Sequence, residues 1–216
     1  KFLTEHNHTI YVETNAGLLS GFSDEMYIEA GAKIVQTKEE LWDVANVIVK
    51  VKEPQKEEYS LFKEDQIIFS YMHLAVEPEL TKNLLKKKVC AICAESIQNK
   101  NGDFPILRPM SEVAGRLSIQ LGAHYLEHQN GGEGILLGGV PGVKPSKVVI
   151  IGGGIVGSNA AKVALGMGAD VSVIDTNSEK LAMLDFIFNG NIKTHYSNPT
   201  TVLEEAKKAD ILVTAV

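Results

Sequence analysis

The residues with the clearest chemical meaning are three glycines in G-x-G-x-x-G spacing. In Val148-Val-Ile-Ile-Gly-Gly-Gly-Ile-Val-Gly157, Gly152, Gly154 and Gly157 follow an apolar strand pattern and open an Ala-rich helical one. Each has a physical task in that context. Gly152 permits the tight turn, Gly154 lets the backbone approach a pyrophosphate, and Gly157 lets the helix pack closely on the strand, whose neighbouring helix N-terminus attracts the anion. The second half of the signal is Val171-Ser-Val-Ile-Asp175, a strand pattern ending in an acid 18 residues beyond Gly157. A carboxylate there accepts hydrogen bonds from adenosine ribose hydroxyls and repels a 2′-phosphate. No arginine follows Asp175, and Lys180 lies five residues on, so NAD is expected rather than NADP.

A second set of candidates lies earlier in the chain. In Val47-Ile-Val-Lys-Val-Lys-Glu-Pro54, strand alternation puts Val47, Val49 and Val51 on one face and Ile48, Lys50 and Lys52 on the other. Ligands of open α/β sheets gather at the carboxyl ends of strands, so Lys52 is placed to meet an anionic or carbonyl substrate. A lysine simply emerging into solvent fits the same pattern. His73 ends Ile67-Ile-Phe-Ser-Tyr-Met-His73, where an imidazole can exchange protons near neutral pH, although an ordinary strand-end histidine reads the same way.

Two other patterns invite a metal and do not support one. His124-Tyr-Leu-Glu-His128 matches H-x-x-E-H on a predicted helix, but that helix breaks at once into Gln-Asn-Gly-Gly and no downstream acidic ligand is identifiable. Cys90 and Cys93 form C-x-x-C inside an apolar strand pattern, where residues three apart point to opposite faces, so they are expected to be buried strand cysteines. No metal site is expected.

These groups must be positioned by an alternating α/β architecture. The predicted strands are Thr9–Glu13, Ala32–Val35, Val47–Lys52, Gln66–Tyr71, Val89–Glu95, Lys147–Gly152, Asp170–Asp175 and Asp210–Val216. The predicted helices between them are Asp24–Gly31, Lys38–Val44, Pro78–Lys88, Ser111–His128, Gly154–Gly168, Glu179–Phe188 and Thr200–Ala209. A turn-rich stretch, Asn99–Pro109, separates two doubly wound, Rossmann-like domains, residues 1–108 and 109–216, with a cleft between them.

The 216 residues carry 44% hydrophobic side chains and a formal charge of −6, with no Lys/Arg-rich stripe, which argues against nucleic acid as a partner. No apolar run approaches the roughly 18–20 residues of a membrane span, and two cysteines fit a reducing compartment, hence the cytoplasm. The chain starts at Lys1 and stops inside an apolar strand pattern at Val216, so it is expected to be incomplete, its second domain truncated.

Taken with their order along the chain, Lys50-Val-Lys-Glu-Pro54, Tyr71-Met-His-Leu-Ala75, Pro109-Met-Ser-Glu-Val-Ala-Gly-Arg116, Gly134-Ile-Leu-Leu-Gly-Gly-Val-Pro-Gly-Val143 and Val148–Gly157 closely resemble bacterial alanine dehydrogenases. The resemblance implies NAD-dependent, reversible oxidative deamination of L-alanine to pyruvate and ammonium. It implies that Lys52 contacts the substrate, that His73 transfers protons, and that Glu95 supports the pair. For the cofactor it implies Ser111, Gly152, Gly154, Gly157, Asp175, Lys180, Ser197 and Val216, with Ser111 opening the bridging helix. A homo-oligomer, commonly a hexamer, is implied as well. Two other readings stay open: the hydride-transferring subunit of a proton-translocating transhydrogenase, and a non-catalytic NAD-binding fragment.

Overall fold

A computed structural model describes all residues from Lys1 to Val216. The chain divides into two compact units, Lys1–Phe104 and Pro105–Val216.

In the first unit the elements are α1 (Phe2–Glu5), β1 (Tyr11–Glu13), α2 (Asp24–Glu29), β2 (Lys33–Val35), α3 (Lys38–Val44), β3 (Val47–Val49), β4 (Ile67–Ser70), α4 (Pro78–Lys86) and β5 (Cys90–Cys93). β1 pairs with β2, and β3, β4 and β5 form a second sheet in that order, all in parallel. Helix α3 begins where the Thr37 side chain accepts the Glu40 amide. Helix α4 begins at Pro78, whose missing N–H costs nothing in a first turn. Leu80 and Leu84 of α4, Trp42 of α3, Ile48 of β3 and Ile68 of β4 meet in one core with Tyr59, Phe62 and Met72. Ile48 and Ile68 stand directly opposite one another in the parallel register.

The buried face of β3 is therefore that of Ile48, while Val49 on the valine face is 71% exposed. The strand is also shorter than expected, so Lys50 and Lys52 follow it rather than belong to it. Cys90 corrects a second expectation. It and Cys93 lie on opposite faces of β5 as the spacing requires, but Cys90 is exposed and Cys93 only half-buried. Cys90 shares its face with Ile92, which is also exposed, so this face of β5 is uncovered along the strand.

The second unit runs α5 (Leu107–Leu126), β6 (Lys147–Ile151), α6 (Ile155–Gly166), β7 (Asp170–Asp175), α7 (Ser178–Ile187), β8 (Lys193–Tyr196), α8 (Pro199–Ala206) and β9 (Ile211–Thr214). Its strands are all parallel in the order β8-β7-β6-β9. That order starts at the centre, moves one way through β7 and β8, and then reverses to β9. The reversal point, between the carboxyl ends of β6 and β9, is where open α/β sheets form a ligand crevice. Val148, Ile150, Val171, Val173, Ile211 and Val213 fill the core beneath it.

Two further differences have local causes. Helix α5 begins at Leu107, so Ser111 lies a turn inside it and does not open it. Pro109 occupies the first turn, where no amide partner is lost, and so is no barrier to the earlier start. The same helix ends at Leu126, and His128 belongs to a separate 3-10 turn, so His124 and His128 do not share one helical face. Strand β8 was not expected at all. Its residues, Lys-Thr-His-Tyr, present no apolar alternation, and it is an edge strand held by backbone pairing to β7.

Candidate active site

At the crevice of the second unit, Gly152 has φ +104°, a conformation that side chains disfavour, and a Cβ there would come within 2.4 Å of the Ala215 carbonyl oxygen. Gly157 is tighter still: a Cβ would lie 1.8 Å from the Gly152 oxygen, so helix α6 can approach the turn only without a side chain. Gly154 is the opposite case. No atom lies within 4 Å of its would-be Cβ, which leaves its backbone open to an approaching group at the start of α6. The amide end of this helix favours negative charge.

Asp175 ends β7 beside this turn and is already oriented by the backbone. Its Oδ2 accepts the Gly153 amide at 2.7 Å and its Oδ1 accepts the Asn177 amide at 2.7 Å. Burial alone would raise the pKa of Asp175, but the Asn177 and Gly153 amides and the nearby Lys180 charge outweigh it, and the group is held below its ordinary value. The role of Gly153 was not read from the sequence. The signal was the unbroken Gly-Gly-Gly run: a Cβ at the middle glycine would crowd Asp175 Oδ2 at 3.3 Å.

Gly152, Gly154, Asp175, Lys180, Ser197 and Val216 line one cleft of about 250 Å³. Ser197 reaches it because β8 brings the chain back alongside β7, where the Ser197 amide donates to the Asp175 carbonyl at 2.9 Å. Gly157 is buried beneath the cleft and Ser111 does not line it. These features fit a dinucleotide: an open backbone cradle at a helix start and, lining the same cleft, a carboxylate held in its charged form by backbone amides.

In the first unit, Lys52, His73 and Glu95 each follow the carboxyl end of a neighbouring parallel strand, β3, β4 and β5. The two nearby lysines differ sharply. Lys50 Nζ donates to Glu58 Oε1 at 2.7 Å in a half-buried pair. Lys52 has a side chain 76% exposed, and its ion-pair partner is its own neighbour, Glu53, at 3.5 Å. The other carboxylate oxygen of Glu53 is buried without a hydrogen bond.

His73 has φ +50°, unusual for any residue but glycine. Glu95 holds this turn: its carboxylate accepts the His73 amide at 2.8 Å and the Met72 amide at 3.1 Å. Burial would raise the Glu95 pKa, and the backbone amides, including those of His73 and Met72, more than offset it, so the group stays ionised below its ordinary range. The contact from Glu95 to His73 runs through the backbone and leaves the imidazole available.

Residues 1–114 match the family profile described as alanine dehydrogenase/PNT, N-terminal domain, and residues 118–216 match its C-terminal domain. The chain belongs to the alanine dehydrogenase/PNT family. Among members of this family, the alanine dehydrogenase of Methanococcus maripaludis is 56% identical over 209 residues, covering 97% of this chain and 56% of that protein. Alanine dehydrogenase 2 of Staphylococcus aureus is 51% identical over 214 residues, covering 99% of this chain and 57% of its own length. The chain thus spans little more than half the length of these relatives.

Among solved structures of the family, an L-alanine dehydrogenase superposes with a TM-score of 0.91 at 47% identity, covering 100% of this chain and 59% of that one. A transhydrogenase from Sinorhizobium meliloti superposes with a TM-score of 0.79 at 21% identity, covering 99% and 62%, a likeness of fold alone.

Proposed function

We propose that the protein carrying this chain is an NAD-dependent alanine dehydrogenase that reversibly converts L-alanine to pyruvate and ammonium. In this reading residues 1–108 form the substrate domain and residues 109–216 the NAD-binding domain, of a cytoplasmic homo-oligomer, a hexamer by analogy. The observation that carries the reading is the pairing of an exposed lysine with a histidine, Lys52 and His73, after the carboxyl ends of neighbouring parallel strands, in a chain whose relatives at 50% identity and above are named alanine dehydrogenase.

Each residue then has a defined task. The Lys52 ammonium donates to the carbonyl or carboxylate oxygen of the substrate and stabilises negative charge that develops there. His73 accepts and returns a proton as water adds at the carbon and ammonia leaves. Glu95 fixes the peptide that carries His73. On the cofactor side, Asp175 takes the ribose hydroxyls, the Gly154 backbone faces the diphosphate, and Lys180, Ser197, Ser111 and Val216 complete the binding residues. When bound, NAD supplies the hydride acceptor. The protein contributes orientation, since hydride transfer needs no acid from a side chain.

Substrate profile distinguishes this proposal from hydride exchange between nucleotides. The full-length protein is expected to form NADH with L-alanine and NAD as the sole additions. NADH-dependent reduction of a second nucleotide, without a response to L-alanine, would instead support the transhydrogenase reading, and NAD binding without either reaction would support a binding module.

A further inference from the structure

Lys52 stands in a short segment, Val51–Pro54, between the end of β3 and the 3-10 turn Lys56–Leu61. One carboxylate holds both ends of it. Glu58 Oε1 accepts from the Lys50 ammonium at 2.7 Å, and Glu58 Oε2 accepts the backbone N–H of Gln55 at 2.6 Å. Glu58 is itself fixed in place. It is buried, its own N–H donates to the Gln55 carbonyl at 2.9 Å, and its neighbour Tyr59 lies in the core with its ring 5.6 Å from that of Phe62. Between the two clasped ends Pro54 is fully buried, whereas the Lys52 side chain is exposed.

The two ends differ in what else secures them. At the Lys50 end the backbone still pairs: the Lys50 N–H donates to the Phe69 carbonyl and the Tyr71 N–H to the Val51 carbonyl, each at 3.1 Å. Those bonds tie the segment to the strand end that leads to His73. At the Gln55 end the strand pairing has stopped, and the amide's acceptor is Glu58 Oε2. A capping box, which Gln55 and Glu58 form, needs only the contact with its own turn. The reach back to Lys50 is an addition that a cap does not require, and it joins the turn to the sheet across the segment that carries Lys52.

We infer that Glu58 is a positioning residue for the chemistry at Lys52: by joining Lys50 to the Gln55 amide it sets where Lys52 presents its ammonium relative to His73. The inference rests on the role proposed above for Lys52. Glu95 has the corresponding place for His73, through the Met72 and His73 amides, so each of the two groups rides on backbone held by a carboxylate.

The residue type follows from the geometry. Two donors meet one side chain, and a carboxylate offers an acceptor oxygen to each. A glutamine offers one oxygen and turns its NH2 group toward the other donor. The ammonium, as the charged donor, holds that oxygen, and the Gln55 amide loses its acceptor. An aspartate, one methylene shorter, keeps the ion pair because the flexible Lys50 side chain follows it, while the backbone amide stays behind. Both substitutions therefore release the Gln55 end.

The test uses the full-length protein, with kcat and KM for L-alanine, NAD affinity and thermal unfolding measured for each variant and rates taken well below the unfolding midpoint. Glu58→Asp and Glu58→Gln are each expected to lose about tenfold in kcat/KM, the scale of a partly misplaced reacting group, with NAD affinity unchanged. Adding Lys50→Met to Glu58→Gln frees the amide oxygen for the Gln55 N–H and is expected to return kcat/KM to within about threefold of the wild type. A carboxylate that only caps its turn would lower the unfolding midpoint and leave kcat/KM of the folded variants at the wild-type level. That result, or a double variant as slow as Glu58→Gln, would overturn the inference. If Glu58→Gln does not fold, Glu58→Asp, which retains the charge, carries the same comparison. Lys52→Met separates the inference from the reading beneath it. An inactive Lys52→Met beside a fully active Glu58→Asp removes the positioning role alone, whereas an active Lys52→Met overturns both.

Discussion

The carboxylate of Glu95 accepts the backbone N–H of His73 at 2.8 Å, and His73 holds a positive φ of 50°. A left-handed histidine costs on the order of 1–2 kcal/mol, and the surrounding structure must repay it. Glu95 does so by satisfying two consecutive amides at once, those of Met72 and His73.

Removing that carboxylate therefore disturbs the histidine without touching its ring. Glu95→Ala is expected to lower stability by about 1–2 kcal/mol, since it leaves the part-buried Met72 amide without its acceptor and frees the exposed His73 amide to water. Turnover should fall while NAD affinity is unchanged. Chemical denaturation, alanine-dependent turnover and NAD titration of the same variant check this. Full activity in the variant would mean the His73 turn does not depend on Glu95.

The two lysines after β3 should separate stability from activity. Lys50→Met leaves the buried Glu58 carboxylate without its cation and with the Gln55 amide still donating to it, and is expected to destabilise on the order of 2–3 kcal/mol. Lys52→Met touches an exposed side chain and should change stability by less than about 0.5 kcal/mol while abolishing turnover. Thermal unfolding beside the rate of NADH formation distinguishes them. The opposite pattern would assign Lys50 to the substrate.

Asp175 should govern the choice of nucleotide. In the proposed NAD site its carboxylate would face the position of a 2′-phosphate, so Asp175→Ser is expected to bring the affinities for NAD and NADP at least about tenfold closer together. Binding of both nucleotides, measured by titration, reads the ratio. An unaltered preference would place discrimination elsewhere.

Acid should unfold the protein through carboxylates whose pKa is depressed in the folded state. Glu205 is held below its ordinary 4.5 by the Lys208 hydrogen bond, despite burial, and by the charges of Lys147, Lys208 and His195. Glu95 is also below 4.5, and Asp175 is below 3.8. A depressed group contributes stability in full above its unfolded pKa and loses it as pH falls through the folded one. These groups thus predict stability that is level with respect to them above about pH 5 and declines below pH 4.5. Unfolding free energy measured across that range, with Glu205→Gln showing a shallower decline, checks the sign.

Much of this was legible in the residues, for identifiable reasons. Gly152, Gly154, Gly157 and Asp175 announce themselves because steric exclusion and charge dictate residue type at fixed spacing, and the parallel order follows from strands alternating with helices. Ser197 was reached only by resemblance, because the strand that delivers it, β8, is a polar edge strand with no hydrophobic period. Which face of β3 is buried was equally hidden: Val47, Val49 and Val51 are the more apolar set, but packing under α3 and α4 selected Ile48. The difference between Lys50 and Lys52 could not be read locally either, since Glu58 decides it from a turn several residues away.

The measurement that tests the central claim most directly is L-alanine-dependent NADH formation by the full-length protein, with Lys52→Ala and His73→Ala beside it. Robust formation by the wild type, lost in both variants while each still binds NAD, is the predicted result. A folded wild-type protein that binds NAD and forms no NADH with L-alanine would contradict it.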